Sequence, residues 1–195
     1  MKKLILMFLM LLLCFTIFSQ EDIDLALKIH EEAILGKSVD IEKCLELLEP
    51  YIESNMIARF YYGSALSFSA KNYIKTNPLK SLNLLKKSNK YMDSAMVNYN
   101  NDYNLHLLRL VLGLQVSKTS PINRYKVIKE DVDFLLNKEN QKNLNTETLQ
   151  SIYFYCGDFY FSTKKSDKAK ECFNKVIELN SDSDFALKSK ELLNS

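Results

Sequence analysis

Few side chains of this 195-residue chain belong to the types that carry out covalent chemistry, and they are spread along the sequence. The segment IYFYCGDFYF places Cys156, Gly157 and Asp158 among aromatic residues, and the two histidines are His30 and His106. A cysteine beside a histidine base is a nucleophilic pair, and Cys156 with His106 is one such pair. The alternative, which we favour, is that Cys156 is a packing residue unrelated to His106.

No motif for metal binding, phosphate binding or nucleophilic catalysis occurs in the sequence. Neither histidine has a potential metal ligand four residues later, and there is no His-Glu-x-x-His, Cys-x-x-Cys, glycine-rich phosphate loop or Gly-x-Ser-x-Gly. We therefore predict no catalytic residues, no cofactor and no metal site, so that the protein is not an enzyme.

The first residues, MKKLILMFLMLLLCFTIFSQ, are typical of a secretory signal peptide over residues 1–19. Two lysines precede an apolar run over residues 4–18, which is short for a transmembrane helix. We predict cleavage near Ser19-Gln20 and residence in the periplasm or outer envelope of a bacterium. An uncleaved anchor and lipidation of Cys14 are the open alternatives, and only with one of them would we expect membrane contact.

The charge of the chain argues against binding to nucleic acid. Removal of Lys2 and Lys3 with the signal peptide leaves 24 basic residues, equal to the number of acids, whereas nucleic-acid binders carry a basic excess. The charges are nevertheless separated, since residues 21–53 contain ten acids and three bases and residues 54–90 contain seven bases and no acid. Either neighbouring hairpins attract each other through these charges, or they form a bipolar surface that orients a partner.

Apolar residues recur at helical spacing after Gln20, and no stretch alternates as a strand would. The pairs Asn77-Pro78 and Ser120-Pro121 each indicate the start of a helix, with proline in the first turn. Short polar turns join the helices in pairs, so we predict an all-α fold, an α-solenoid of about four antiparallel helical hairpins plus a C-terminal capping helix. The nine helices are predicted over about residues 22–35, 39–51, 55–74, 77–99, 103–117, 120–137, 146–163, 166–179 and 182–193.

Small and aromatic residues form a pattern over residues 150–183. The pattern consists of Tyr153, Cys156, Gly157 and Tyr160 in one helix and Ala169 and Phe173 in the next. This spacing resembles the tetratricopeptide repeat, a 34-residue unit of two helices. The resemblance implies that Gly157 and Ala169 lie where the two helices approach most closely and that Cys156 packs against the second helix.

The resemblance is diffuse in the earlier hairpins. Phe60, Gly63 and Leu66 repeat the spacing of the first helix, whereas Arg109 stands at the small position of the third hairpin. We predict a single tetratricopeptide-like domain over residues 20–195. Within the last hairpin Cys156 and Cys172 are either bridged or free. A disulfide requires their Cα atoms to lie within about 7 Å of each other, and the sequence does not determine this distance.

In the repeat family, side chains of the first helices line a concave groove that binds peptides. The lining that the resemblance implies is mostly aromatic and uncharged, which suits an apolar helix or an extended segment; alternatively these aromatics pack between hairpins. The implied function is a non-enzymatic interaction scaffold or adaptor of the bacterial cell envelope that binds another protein. The alternative is a binder of a small ligand or of an envelope polymer such as a glycan or lipid. The groove residues would be Phe60, Ser64, Phe68, Tyr103, His106, Leu110, Phe154, Asp158 and Phe161.

Overall fold

The structure is a computed structural model that describes residues 20–97 and 101–194. The predicted signal peptide over residues 1–19 and the alternative of a lipidated Cys14 lie outside the described residues, so both stay predictions. Helices connected by turns and short loops make up the described chain, which contains no strand. The predicted all-α class is therefore confirmed.

The described residues form nine α-helices and two short 3-10 helices, the latter at Glu49–Tyr51 and Lys138–Gln141. Most of the predicted helices differ from these by one to three residues at their ends. The α-helices are α1 over 20–34, α2 Ile41–Leu48, α3 Met56–Lys71, α4 Pro78–Met96, α5 Tyr103–Thr119, α6 Tyr125–Leu135, α7 Thr146–Ser162, α8 Ser166–Leu179 and α9 Asp184–Leu193.

The helices cluster into two compact units, divided between residues 100 and 101. Unit 1 contains α1 to α4, and unit 2 contains α5 to α9. Within the units α3 packs on α4, α5 on α6 and α7 on α8, as helical hairpins do. The solenoid arrangement and the single domain over residues 20–195 stay predictions.

Polar side chains begin the helices of unit 1 where the sequence indicates. Asp40 accepts a hydrogen bond from the backbone N–H of Lys43 at the start of α2, and Asn77 accepts one from Lys80 at the start of α4. These caps satisfy backbone donors that have no partner inside the helix. Gly36, with a φ of 75°, lies in the turn between α1 and α2, where a side chain would be strained. Because Asn77 caps α4 and Pro78 is the first residue of that helix, the predicted start at Asn77-Pro78 is confirmed.

The other predicted start, at Ser120-Pro121, is wrong, because α6 begins at Tyr125. Ser120 has an extended backbone, and its hydroxyl donates to the carbonyl of Val116 while accepting from the N–H of Ile122. The backbone N–H of Arg124 donates to Ser117 Oγ. These local bonds compete with helix formation, so the segment leaves α5 without entering α6 directly.

Three glycines mark the closest approaches of paired helices. A Cβ at Gly63 would lie 2.9 Å from the carbonyl oxygen of Ser88, and one at Gly113 would collide with Ile128 Cγ2. At Gly157 it would lie 2.6 Å from the ring of Phe173. Each of the three hairpins from α3 to α8 therefore requires a residue without a side chain.

This glycine pattern corrects the predicted register in the third hairpin. The small residue at the close approach is Gly113, one helical turn beyond Arg109, to which the resemblance assigned that position. In the last hairpin the atoms nearest to Gly157 belong to Phe173 and Cys172, while Ala169 is buried in the same core.

Candidate functional site

The nucleophilic pair of Cys156 and His106 has no support in the geometry. His106 Nδ1 lies 2.6 Å from Asp131 Oδ1, and its ring stacks on Phe134 with centroids 3.9 Å apart. Cys156 is fully buried in the core of unit 2, and this burial raises the pKa of its thiol well above the usual value. A thiol held protonated in an apolar core is a packing residue and not a nucleophile.

His106 belongs to a buried polar network that joins α5 to α6. Arg109 Nε lies 2.9 Å from Asp131 Oδ2, and the terminal nitrogen of Arg109 lies 2.8 Å from Oδ1. Asp131 is completely buried, and Arg109 is its partner of opposite charge. The arginine that interrupts the repeat pattern is therefore half of an internal ion pair.

A second buried pair, in unit 1, joins His30 to Ser64. His30 Nε2 and Ser64 Oγ are 2.7 Å apart, the separation of a nucleophile and its base. Both side chains are buried, at 1% and 0% exposure, so no substrate reaches them. Burial lowers the pKa of His30 to about 4, and the ring makes edge contacts with Tyr61 and Phe68. The pair is an internal contact between α1 and α3, which no sequence motif indicates.

The groove residues predicted in unit 1 lie largely inside it. Phe60 is fully buried, and Ser64 is held by His30. Phe68 is half-buried with Lys71 Nζ 4.5 Å from its ring centre. Phe68 alone among the three predicted groove residues of α3 is accessible in part.

In unit 2 the predicted groove residues divide in two. Leu110 is buried in the core and His106 is enclosed by the Asp131 network. Tyr103 is half-buried against the same core, and Phe154 is half-buried with its ring 5.1 Å from that of Phe185. The assignment of these residues to a partner groove stays a prediction.

Of the remaining two, Asp158 is half-buried and Phe161 is exposed. The Asp158 carboxylate accepts from Lys118 Nζ at 2.5 and 2.7 Å, which ties α7 to α5. Phe161, three residues further along α7, is 45% exposed. We call the surface formed by Lys118, Asp158 and Phe161 the α5–α7 face.

A cleft of about 580 Å³ opens elsewhere in unit 2, and we call it the tyrosine–lysine cleft. Tyr153 Oη accepts from Lys138 Nζ at 2.6 Å and donates to Gln141, while Lys168 Nζ lies 5.4 Å from the ring centre of Tyr160. Burial, with the nearby Cys172, raises the pKa of Tyr160 to about 12, so its hydroxyl keeps its proton. Its lining is Leu136, Lys138, Tyr153, Tyr160, Lys168, Glu171, Cys172, Asn174, Lys175 and Glu178.

No motif in the sequence indicates this cleft directly. The resemblance makes Tyr153 and Tyr160 packing positions of the repeat, and both residues also line the cleft. The only available signal was the seven-residue spacing of the two tyrosines together with lysines at similar spacing in the following helix, Lys168 and Lys175.

Neither a metal centre nor a membrane span is found in the described parts of the chain. No group of three or more histidine, cysteine, aspartate or glutamate side chains is placed to hold an ion within 20–97 and 101–194. The helices described there are not both long and apolar enough to cross a membrane. No family model, no curated protein and no solved structure matches this chain.

Proposed function

We propose that this protein is a non-enzymatic interaction scaffold of the bacterial cell envelope, built from tetratricopeptide-like hairpins. The observation that carries the proposal is the α5–α7 face. There an exposed phenylalanine stands beside a charged pair that connects the first helices of two successive hairpins. In the repeat family these helices carry the peptide-binding side chains.

The composition of this face suits a protein partner. An exposed aromatic ring such as Phe161 buries a large apolar area when it is covered, and aromatic residues dominate the energetics of interfaces. Asp158 and Lys118 offer a carboxylate and an ammonium that can exchange their mutual bond for bonds to a partner. The expected partner is an amphipathic helix or an extended segment with one apolar anchor.

The proposed location rests on the first 19 residues, whose lysines and apolar run resemble a signal peptide. Mass analysis of the protein recovered from its native envelope tests this part of the proposal. A mature N-terminus at Gln20 supports it, and a chain that retains residues 1–19 contradicts cleavage.

Cross-linking in the native envelope followed by pull-down tests the scaffold function. We expect the natural chain to capture one protein in stoichiometric amount, and Phe161→Ala with Asp158→Ala to lose most of it. The matched control is Leu187→Ala, which removes a leucine of α9 with 52% exposure. Equal capture by all chains, or no stoichiometric protein, contradicts the proposal.

The second candidate function, binding of a small ligand or envelope polymer, is favoured by the tyrosine–lysine cleft. Its volume falls within the range of about 300–1,000 Å³ found for ligand sites, and its lining combines aromatic rings with ammonium groups. A rise in melting temperature with envelope glycans or lipids, reduced in Lys168→Ala, together with failure to find a protein partner, supports this function. The absence of any shift argues against it.

A further inference from the structure

Four helix ends of unit 1 lie together at one end of the unit. Ser69 Oγ in the last turn of α3 donates to Glu42 in the first turn of α2 at 2.6 Å. Ser81 Oγ in the first turn of α4 donates to the carbonyl of Ala70 at 2.9 Å. Tyr51 after α2 reaches back to Asp22 in α1, so the turn between α1 and α2 also lies at the end that carries Glu42.

Exposed aliphatic side chains are concentrated at this end, which we call the apolar tip. Leu35 is 66% exposed and Leu79 is 69% exposed, and Ile34 and Ile74 are each at least half exposed. These four are half of the eight large hydrophobic residues that are exposed in the described chain. Single exposed aliphatic residues are common, but four in or directly beside two neighbouring turns are a concentration that requires an explanation.

Basic residues surround the apolar tip. Lys71, Lys75 and Lys80 flank the turn between α3 and α4, and Lys37 lies in the turn between α1 and α2. Lys80 Nζ lies 3.6 Å from the ring centre of Tyr73, which directs the ammonium toward the tip residues of that turn.

Three of the acids near the tip make side-chain contacts within unit 1. Glu32 pairs with Lys37 at 3.7 Å, Asp40 caps α2, and Glu42 accepts from Ser69. By contrast, the lysines from 71 to 90 make no ion pair within 4 Å to any residue that the structure describes. Arg59 pairs with Glu53, but ion pairing does not account for the lysines from 71 to 90. The charge of these lysines is therefore available to an outside surface.

We propose that the apolar tip docks on an anionic lipid surface. The transfer of exposed aliphatic side chains from water to the boundary between headgroups and acyl chains stabilises membrane binding. Lysines beside them are attracted to anionic headgroups. This contact uses unit 1 and is independent of the α5–α7 face and of any anchor in residues 1–19.

Tryptophan fluorescence at the tip tests the proposal, since the natural sequence contains no tryptophan. The full chain carrying Leu79→Trp is mixed with vesicles of phosphatidylcholine and phosphatidylglycerol. The emission is expected to shift to shorter wavelength, because the indole leaves water. The matched control is Leu187→Trp, at the exposed leucine of α9, whose emission should not change. The signal is local to position 79, so retention of residues 1–19 does not produce it.

Charge variants in the Leu79→Trp chain separate lipid docking from general stickiness. Lys75→Gln with Lys80→Gln is expected to weaken vesicle binding about 30-fold, since each lysine close to such a surface contributes about fivefold. Lys170→Gln with Lys188→Gln, two exposed lysines of unit 2, should leave binding unchanged. No shift with anionic vesicles, an equal shift with pure phosphatidylcholine, or an equal shift in the Leu187→Trp chain would overturn the proposal.

Discussion

His30 shows how one buried residue sets a pH dependence for unit 1. Its ring is enclosed by Tyr61, Phe68 and Ser64, and none of these three side chains is anionic. The protonated form would bring an uncompensated charge into the core, which is why burial lowers its pKa to about 4 from an ordinary 6.5.

The folded protein should therefore lose stability as the pH falls from about 6.5 to about 4. In this window the unfolded chain protonates His30 while the folded chain does not, so protons favour unfolding. The loss approaches about 3 kcal/mol at the lower limit. Urea unfolding at several pH values measures this loss. Between about pH 6.5 and about pH 4, the free energy of unfolding of His30→Gln should fall by about 3 kcal/mol less than that of the natural chain. Parallel curves for the two chains would contradict the buried, neutral histidine.

Asp131 is the corresponding residue of unit 2, and its removal should be costly. Asp131→Ala leaves Arg109 buried without its counter-charge, for which about 3–5 kcal/mol is typical. The control is Asp133→Ala two residues later, where an exposed pair with Lys129 is lost and the change should stay below about 1 kcal/mol. Chemical unfolding of both variants gives the comparison. Equal effects would mean that Arg109 finds water or another acceptor.

At the scale of elements, the spacing of apolar residues predicts where the helices lie, but it does not predict which of their faces are exposed. The bounds of α8 agree with the prediction, and α7 differs by one residue. Asn145 caps the start of α7, whereas α8 begins without a side-chain cap. The first helices of the hairpins, α3, α5 and α7, are apolar around most of their circumference. The sequence therefore does not indicate which of their residues face outward, and Leu110 is a core residue although the resemblance placed it in a groove.

The other differences between the sequence-based predictions and the structure have local or long-range causes. The start at Ser120-Pro121 failed because hydroxyl bonds of two serines compete with the helix. The tyrosine–lysine cleft was missed because its lining comes from four segments between residues 136 and 178, whose meeting depends on packing. The buried pair of His30 and Ser64 spans 34 residues and has no motif.

The close approach at Gly157 gives a prediction for the α7–α8 hairpin. Gly157→Leu should overpack it by about 1–3 kcal/mol, since even a Cβ at this position would lie 2.6 Å from the ring of the buried Phe173. Thermal unfolding measures the cost. Lys170→Leu, on the exposed side of α8, introduces the same side chain without a collision and should leave the melting temperature nearly unchanged. An unchanged melting temperature for Gly157→Leu would remove the basis for a repeat-like hairpin there.

At the scale of the whole molecule, the three cysteines of the described chain are free and buried, in both units. Burial raises the pKa of Cys44 and Cys172 to about 12, so almost no thiolate is present at neutral pH. Iodoacetamide should therefore modify Cys44, Cys156 and Cys172 very slowly in the folded protein and rapidly in urea. Mass analysis counts the adducts, and fewer than three after unfolding would reveal a disulfide.

The burial of these thiols also bears on how the protein reaches its folded state. If the chain is exported, it enters an oxidising compartment unfolded, where an odd number of exposed thiols invites mispairing between molecules. Helical hairpins form from contacts close in sequence and so fold quickly. Burial of Cys44, Cys156 and Cys172 must then be faster than their oxidation. Variants that slow the formation of a hairpin should therefore accumulate as disulfide-linked dimers, even where their equilibrium stability is unchanged.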